Sequence, residues 1–375
     1  MTEITLTLPR AELDRALSQL ARVVERRNTI PILSNIRLAL ADGVLTMTAS
    51  DLDIEARTEL PAPNAAGADE TTMPAARLAE IVRKIDDDQV RLSWVPGGHG
   101  ATLTGGRARF QLQTLPATDF PNLDAGDMTH EFTLPAKALA RLVDDTSFAM
   151  STEETRYYLN GIYLHVAAGE DGLVLRAVAT DGHRLSRSDT PAPQGAAGML
   201  GVIVPRKSVG EIARLARDAE GDARVALSAT KIAVTIGATR YLSKLIDGAF
   251  PDYARGIPTN NDKSATLDRE AFAAAAARVA TISSERGRAV KLEFTDSRLR
   301  LSVKSPDAGE AADEIDADYE SGSLEIGFNA SYLADVLTHL GGENVCIDLA
   351  DAGSPTIFRP AVASARLVVL MPMRV

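Results

Sequence analysis

Hydrophobic positions along the chain alternate between two periods. In ITLTLPR (4–10) every second residue is apolar, which predicts a strand with one buried face. The period then changes to 3.6. Leu13, Leu17, Leu20 and Val24 fall on one helical face, with Arg15, Arg22 and Arg26 turned away. This strand–turn–helix pattern of residues 4–27 returns at EFTLPAKALARLVDDTSFAMS (131–151) and SATLDREAFAAAAARVATISSER (264–286). A second pattern of the same kind occurs at TTMPAARLAEIVRKI (71–85), VIVPRKSVGEIARLA (202–216) and EIGFNASYLADVLTHL (325–340). Pro74, Pro205 and Asn329 lie 131 and then 124 residues apart, and Leu45, Leu175 and Leu301 lie 130 and 126 apart. A period near 125 fills the 375 residues three times. It is too long for a solenoid repeat, so each copy is a domain.

Each copy carries two strand–helix units and further alternating strands, such as VRLSWV, ATLTG and ARFQLQTL in the first. Short connections imply antiparallel sheets with helices on one side, an α+β arrangement of two helices per domain. Segments rich in Pro, Gly, Asn and Asp, PATDFPNLDAGD (116–127) and PDYARGIPTNND (251–262), mark the joints. The expected domains are 1–127, 128–257 and 258–375. Similar units joined head to tail close into a ring or run on as a filament. Two chains would bring twelve helices, which at ~8–10 Å spacing make a circle roughly 35 Å across at their axes. Removing a helix radius on each side leaves a hole of about 25 Å, wide enough for a nucleic-acid duplex.

Charge first argues against such a partner. The chain has 40 Lys and Arg against 51 Asp and Glu, a net charge of −11, whereas phosphate contacts need cations. The distribution alters this. Windows covering the six predicted helices hold 16 basic and 11 acidic residues, so they carry +5 and the remainder carries −16. Helices that line the hole would give it a basic wall. Solvated helix faces favour Lys and Arg in any case, and the sixth helix has neither. Apolar residues make up 45% and no apolar run reaches the ~20 residues needed to span a bilayer, so no membrane partner is expected. The first ten residues read as a strand rather than a signal peptide. Cys346 is the single cysteine, which excludes an internal disulfide and a cysteine metal cluster and fits a cytoplasmic location.

ATDGHRLSR (179–187) has the residue types of a catalytic centre: Asp181, His183, Arg184 and Arg187. The repeat argues otherwise. Asp51, Asp181 and Asp307 occupy equivalent strand ends, and an aspartate present in every copy reads as a turn residue whose carboxylate accepts backbone N–H groups. His183 and Arg184 are particular to the middle copy. No G-x-S-x-G elbow, HExxH, Walker A or GxGxxG loop is present, and PGGHG (96–100) reads as a hairpin turn. No catalytic residue, metal site or cofactor is expected.

RYYLNG (156–161), TDGHRL (180–185), VIVPRK (202–207), SKLIDGAFPDY (243–253), EIGFNASYLADVL (325–337) and MPMRV (371–375) are long, ordered runs. Through them the whole chain resembles the bacterial sliding clamps, the beta subunits of DNA polymerase III. The resemblance implies the DNA clamp fold and a head-to-tail homodimer, a closed ring of six domains around duplex DNA held topologically and without sequence preference. It implies a non-catalytic processivity factor. Expected partners are the replicative polymerase's catalytic subunit, the ATP-driven clamp loader, and other polymerases and repair proteins, bound through short linear motifs.

The resemblance also assigns residues. The middle domain would give the peptide pocket Arg156, Leu159, Thr180, Gly182, His183, Arg184 and Leu185. The following joint would add Pro251 and Arg255, and the C-terminus Val369, Leu370, Met371, Pro372, Met373 and Arg374. Leucines and methionines suit an adaptable apolar floor, and the cations suit its edges. Gly256 and Val375 stand where branched apolar residues and leucine are common in the family, which loosens the pocket or shifts its motif preference. DNA contacts map to Arg27, Tyr157, Tyr158, Arg206 and Lys207, with Glu153 in place of a polar amide nearby. The ring seam would set Arg107, Arg109, Phe110 and Leu112 of the first domain against Ile282 and the acidic tract EAADEIDADYE (310–320) of the third. A hydrolase using His183 and Asp181, or a three-domain protein-binding scaffold without a nucleic-acid role, are the competing readings.

Overall fold

A computed structural model describes residues 2–25, 29–283, 289–362 and 364–375. Among them are six α-helices of ten residues or more: α1 (Arg10–Leu20), α2 (Ala75–Lys84), α3 (Ala136–Thr146), α4 (Arg206–Arg217), α5 (Arg269–Ala280) and α6 (Ala330–His339). All strand pairing is antiparallel, as the short connections predict.

The repeat is visible in how the helices begin. The first N–H groups of a helix lack intrahelical partners and need an acceptor. For the first helix of each copy, a carbonyl in the loop after the second helix supplies it. Arg10 donates to Asp88 at 2.8 Å, Ala136 to Gly221 at 2.9 Å and Arg269 to Glu343 at 2.9 Å.

Contacts gather the chain into two compact units. One holds residues 1–139 and 210–245. It contains a four-stranded sheet, in spatial order Ile4–Pro9, Gln89–Trp94, Gly100–Gly105 and Ala108–Gln113. Its second sheet has eight strands: Asp69–Pro74, Asn35–Ala41, Val44–Ser50, Ile54–Pro61, Thr239–Lys244, Lys231–Ile236, Asp222–Leu227 and His130–Pro135. Leu6, Leu8, Leu13, Leu17, Leu38, Met47, Leu78 and Val82 are fully buried between these sheets and α1 and α2. Each such side chain contributes about 2 kcal/mol of burial. The helix predicted over 10–27 stops at Leu20. The β-branched pair Val23–Val24 follows in turns, and Val23 rather than Val24 is the fully buried one.

The other unit holds residues 140–209 and 246–375. Its eight-stranded sheet runs Val202–Pro205, Gly161–Gly169, Gly172–Thr180, Arg184–Pro191, Arg366–Leu370, Thr356–Pro360, Asn344–Leu349 and Lys263–Asp268. Its four-stranded sheet runs Gly309–Asp316, Arg298–Ser305, Ala289–Thr295 and Leu324–Asn329. Phe272, Phe294, Phe328, Phe358, Leu333 and Leu337 fill the core against α5 and α6.

The middle repeat is thus shared between the units. Its strand Thr239–Lys244 pairs with Ile54–Pro61 of the first copy, and its strand Arg184–Pro191 pairs with Arg366–Leu370 of the third. Each junction pairs edges that would otherwise stand open.

Candidate functional site

The second of these junctions gathers most of the residues expected in the pocket. The strand register sets Arg184 opposite Leu370 and Leu185 opposite Val369. Met371 N–H then donates to the His183 carbonyl at 2.9 Å. Segments 180–185 and 369–371 are therefore joined although they lie nearly 190 residues apart.

Asp181 builds the turn. Its Oδ1 accepts the backbone N–H groups of His183 at 2.9 Å and Arg184 at 3.0 Å, and its Oδ2 takes Arg184 Nε at 3.1 Å. Gly182 supplies the left-handed residue, φ 88°. Thr180 Oγ1 closes the turn on the Arg184 carbonyl at 2.7 Å. The Asp181 carboxylate is fully used in this way and does not orient an imidazole as a catalytic dyad requires. Asp51 Oδ1 accepts in the same pattern from Asp53 and Ile54, with Leu52 at φ 77° in the place of Gly182. Asp307 differs. It lies in the turn between Arg298–Ser305 and Gly309–Asp316, and among the described residues its carboxylate accepts no backbone N–H.

Arg184 is no free edge of a pocket. Its side chain is 10% exposed, packed against the rings of Tyr332 and Phe148 and ion-paired with Asp181 and Asp335. Stacking continues outward on both sides, His183 against Tyr332 and His339 against Phe148. The column His183–Tyr332–Arg184–Phe148–His339 ties the turn to α6. Sequence reading missed Tyr332, Phe148 and Asp335, although Tyr332 and Asp335 lie in the quoted run EIGFNASYLADVL.

Val369 and Leu185 are buried with Val178, and Tyr163, Phe250, Tyr253, Ile257 and Leu367 pack on them. The segment that carries Pro251 and Arg255 is thereby pinned to the same sheet face. Tyr253 OH meets His165 Nε2 at 3.0 Å and Arg176 Nη1 at 3.4 Å, and Arg176 grips Asp189 with two bonds of 2.7 Å. Arg255 itself is exposed and pairs with Asp252. Leu370 points the other way. It is fully buried in the core around Phe328 and Phe358, because adjacent strand residues face opposite sides. The methionines face out: Met371 is 42% and Met373 39% exposed. Pro372 is half-buried between them and Arg374 is exposed. Arg156 lies over Gly182, where a Cβ would stand 2.8 Å from its Nη1, and pairs with Glu153 at 2.6 Å. That bond holds the Glu153 carboxyl below its usual range. Leu159 is buried at the end of the same turn.

Of the expected DNA contacts, Arg27 lies outside the described residues. Tyr157 is 54% exposed with Tyr158 edge-on to its ring. Lys207 is exposed at the start of α4. Arg206 Nη2 is engaged by the carbonyls of Met150 at 2.8 Å and Ser151 at 2.7 Å, so its guanidinium anchors a loop. Arg15, Arg77, Arg83, Arg214 and Arg217 are exposed on their helices, opposite the buried stripes.

At the expected seam, Phe110 and Leu112 alternate with exposed Arg109 on the edge strand Ala108–Gln113 and pack partly against their own core. Arg107 is in the preceding turn. Ile282 packs partly against the core beyond α5. The acidic tract forms the edge strand Gly309–Asp316, and three of its carboxylates already have partners: Asp313 with Arg278, Glu314 with Arg298 and Glu310 with Lys304. No cluster of three or more His, Cys, Asp or Glu that could hold a metal occurs among the described residues, and no helix there is long and apolar enough to cross a membrane. Cys346 is buried beside Ser264, and burial raises its thiol.

Comparison with known proteins fits this arrangement. Residues 4–124, 133–252 and 254–374 match the N-terminal, central and C-terminal domains of the DNA polymerase III beta subunit. The beta sliding clamp of Caulobacter vibrioides is 45% identical over 377 residues, 99% of this chain and 100% of that protein. That of Escherichia coli K12 is 39% identical over 370 residues, 98% and 99% of the two chains. Among solved structures, a sliding clamp from Bartonella birtlesii bound to griselimycin superposes with a TM-score of 0.95 at 44% identity, covering 100% of both chains. A repeated α+β architecture, a turn aspartate where a catalytic base would be needed, and matches along all three repeats lead to one conclusion: the chain belongs to the beta sliding clamp family, the non-catalytic processivity subunits of DNA polymerase III.

Proposed function

We propose that this sliding clamp works as a head-to-tail homodimer that closes around duplex DNA in the cytoplasm, and that the junction of the 180–185 turn with the C-terminus is its docking site for partner peptides. The observation that carries the peptide site is Met371 and Met373. They are two flexible apolar side chains left exposed on a surface otherwise fixed by stacking and ion pairs. Such side chains adapt to varied apolar partners. Leu185, Val369 and the pinned 250–257 segment form the floor beside them, and Arg156 and His183 form the polar edge. Griselimycin, bound by the Bartonella relative, is the probe used to test this site here. The replicative polymerase, the clamp loader and repair proteins are the natural occupants. Each would bring a short linear segment whose ordering cost keeps affinity near micromolar.

The seam would join Phe110, Leu112, Arg107 and Arg109 to Ile282 and the acidic edge strand. DNA would be held by exposed cations on the helices, Lys207 among them, with Arg27, Tyr157, Tyr158 and Arg206 nearby. Deleting Met371–Val375 tests the peptide site. Griselimycin binding, followed by calorimetry, should disappear, while light scattering still reports a dimer and loaded protein stays on circular but not linear duplex. Unchanged griselimycin binding would move the docking site elsewhere.

A further inference from the structure

A glycine within a strand weakens it, unless something needs the space. Gly327 lies inside the edge strand Leu324–Asn329, opposite Lys291 of Ala289–Thr295, and is buried. It is not one of the glycines with positive φ, so conformational freedom does not explain it. The end of the chain uses the space. Met373 is the antiparallel bridge partner of Gly327 on the strand's free edge, and its N–H donates to the Gly327 carbonyl at 2.8 Å. A Cβ at position 327 would stand 2.7 Å from the Met373 carbonyl oxygen and closer still to a methyl of Val375. The methyl could swing aside, but the backbone oxygen could not.

Among the described residues the tail after Leu370 thus rests on two backbone bonds, Met371 N–H to His183 and Met373 N–H to Gly327. The first joins it to the eight-stranded sheet and the second to the four-stranded one. Between them the two exposed methionines are held on either side of Pro372. We infer that Gly327 is a positioning residue for peptide binding: its missing side chain is the seat that fixes Met373, and through it the methionine wall of the docking site. The inference rests on the peptide site proposed above. It adds a residue that need not touch the peptide and that acts through the tail.

The test compares Gly327→Ala in the full chain and in a chain ending at Pro372, which lacks both atoms the new methyl would strike. Griselimycin is the probe, and hydrogen exchange of the C-terminal peptide 371–375 is the second readout. In the full chain Gly327→Ala should speed exchange of that peptide at least about tenfold and weaken griselimycin about tenfold, the equivalent of 1.4 kcal/mol. Added to the shortened chain, the same substitution should change griselimycin affinity less than about twofold, because coupled changes do not add. Two results would overturn the inference: unchanged exchange in full-length Gly327→Ala, or an equal loss of affinity in both backgrounds, which would mean damage to the strand itself. A different failure belongs to the peptide site. If shortening the chain leaves griselimycin binding intact while Gly327→Ala still speeds exchange, the docking reading falls and Gly327 remains the seat of the tail.

Discussion

The guanidinium carbon of Arg184 lies 4.4 Å from the centre of the Tyr332 ring, and Arg184 Nη1 reaches the Asp335 carboxylate at 2.5 Å. The same carbon lies 5.5 Å from the centre of the Phe148 ring. A planar cation stacked near two rings and paired with two carboxylates couples the turn of the proposed docking site to α6. Lysine keeps the charge but neither the stacking nor the forked geometry. Arg184→Lys should therefore cost about 1–2 kcal/mol in stability by urea titration, and weaken griselimycin in parallel. An unchanged urea midpoint would mean that the column is incidental.

The turn aspartates give a prediction that depends on the repeat. Asp51 and Asp181 each accept two backbone N–H groups, whereas Asp307 accepts none among the described residues. Asp51→Ala and Asp181→Ala should each cost about 1–2 kcal/mol, since the N–H groups lose their acceptor. Asp51→Asn keeps an acceptor oxygen and should cost less than half as much. Asp307→Ala should stay within about 0.5 kcal/mol. Thermal melts of the four variants decide it, and a cost at Asp307 equal to the others would contradict the structural difference.

How much of this was legible follows from what periodicity encodes. Hydrophobic period located the six helices and the alternating strands, because burial on one face is written residue by residue. It carried α1 past Leu20, since valines can continue an apolar stripe after the helix has ended. Charge counting suggested an acidic edge strand as a partner for the seam's arginines. It could not show that Asp313, Glu314 and Glu310 are already paired within their own domain. The site was legible as two quoted runs, TDGHRL and MPMRV, and the family resemblance brought them together. The residues that hold them in place were not. Tyr332, Phe148 and Tyr253 act through long-range contacts that leave no local pattern, and the carbonyl partners of Arg206 leave none either. Gly327 did leave a signal, a glycine in a strand, but only the fold shows what fills the gap.

His165 supplies a pH dependence. Burial holds its imidazole below the ordinary value of 6.5, and Arg176 adds to the effect, while the Val166 carbonyl and Asp189 oppose it. Above about pH 7 the ring is neutral in both folded and unfolded chains and contributes no slope. As pH falls through 6.5 the unfolded chain takes up a proton that the folded one resists, so stability falls. The loss continues until the pH reaches the folded value. His165→Gln removes this titration. The difference in urea midpoint between pH 7.5 and pH 5.5 should be smaller in the variant than in the parent. An equal difference would assign the acid sensitivity to other groups. Because His165 contacts Tyr253, griselimycin binding should weaken with the same pH profile in the parent.

Two neighbouring cations at the start of α4 separate structural from electrostatic roles. Arg206 is bound to the carbonyls of Met150 and Ser151, and burial lowers its affinity for its proton. Removing its side chain leaves both carbonyls without a donor. Arg206→Ala should therefore lower stability by about 1–3 kcal/mol, whatever its effect on DNA. Lys207 is exposed one residue later. If it meets a phosphate, Lys207→Ala should reduce the slope of log affinity against log salt by about 0.9. The loss should be the same on any duplex sequence, because a phosphate contact carries no base information. Retention on circular duplex, titrated with salt, provides the slope. If Lys207→Ala leaves that slope intact and Arg206→Ala reduces it without loss of stability, the roles of the two residues are reversed.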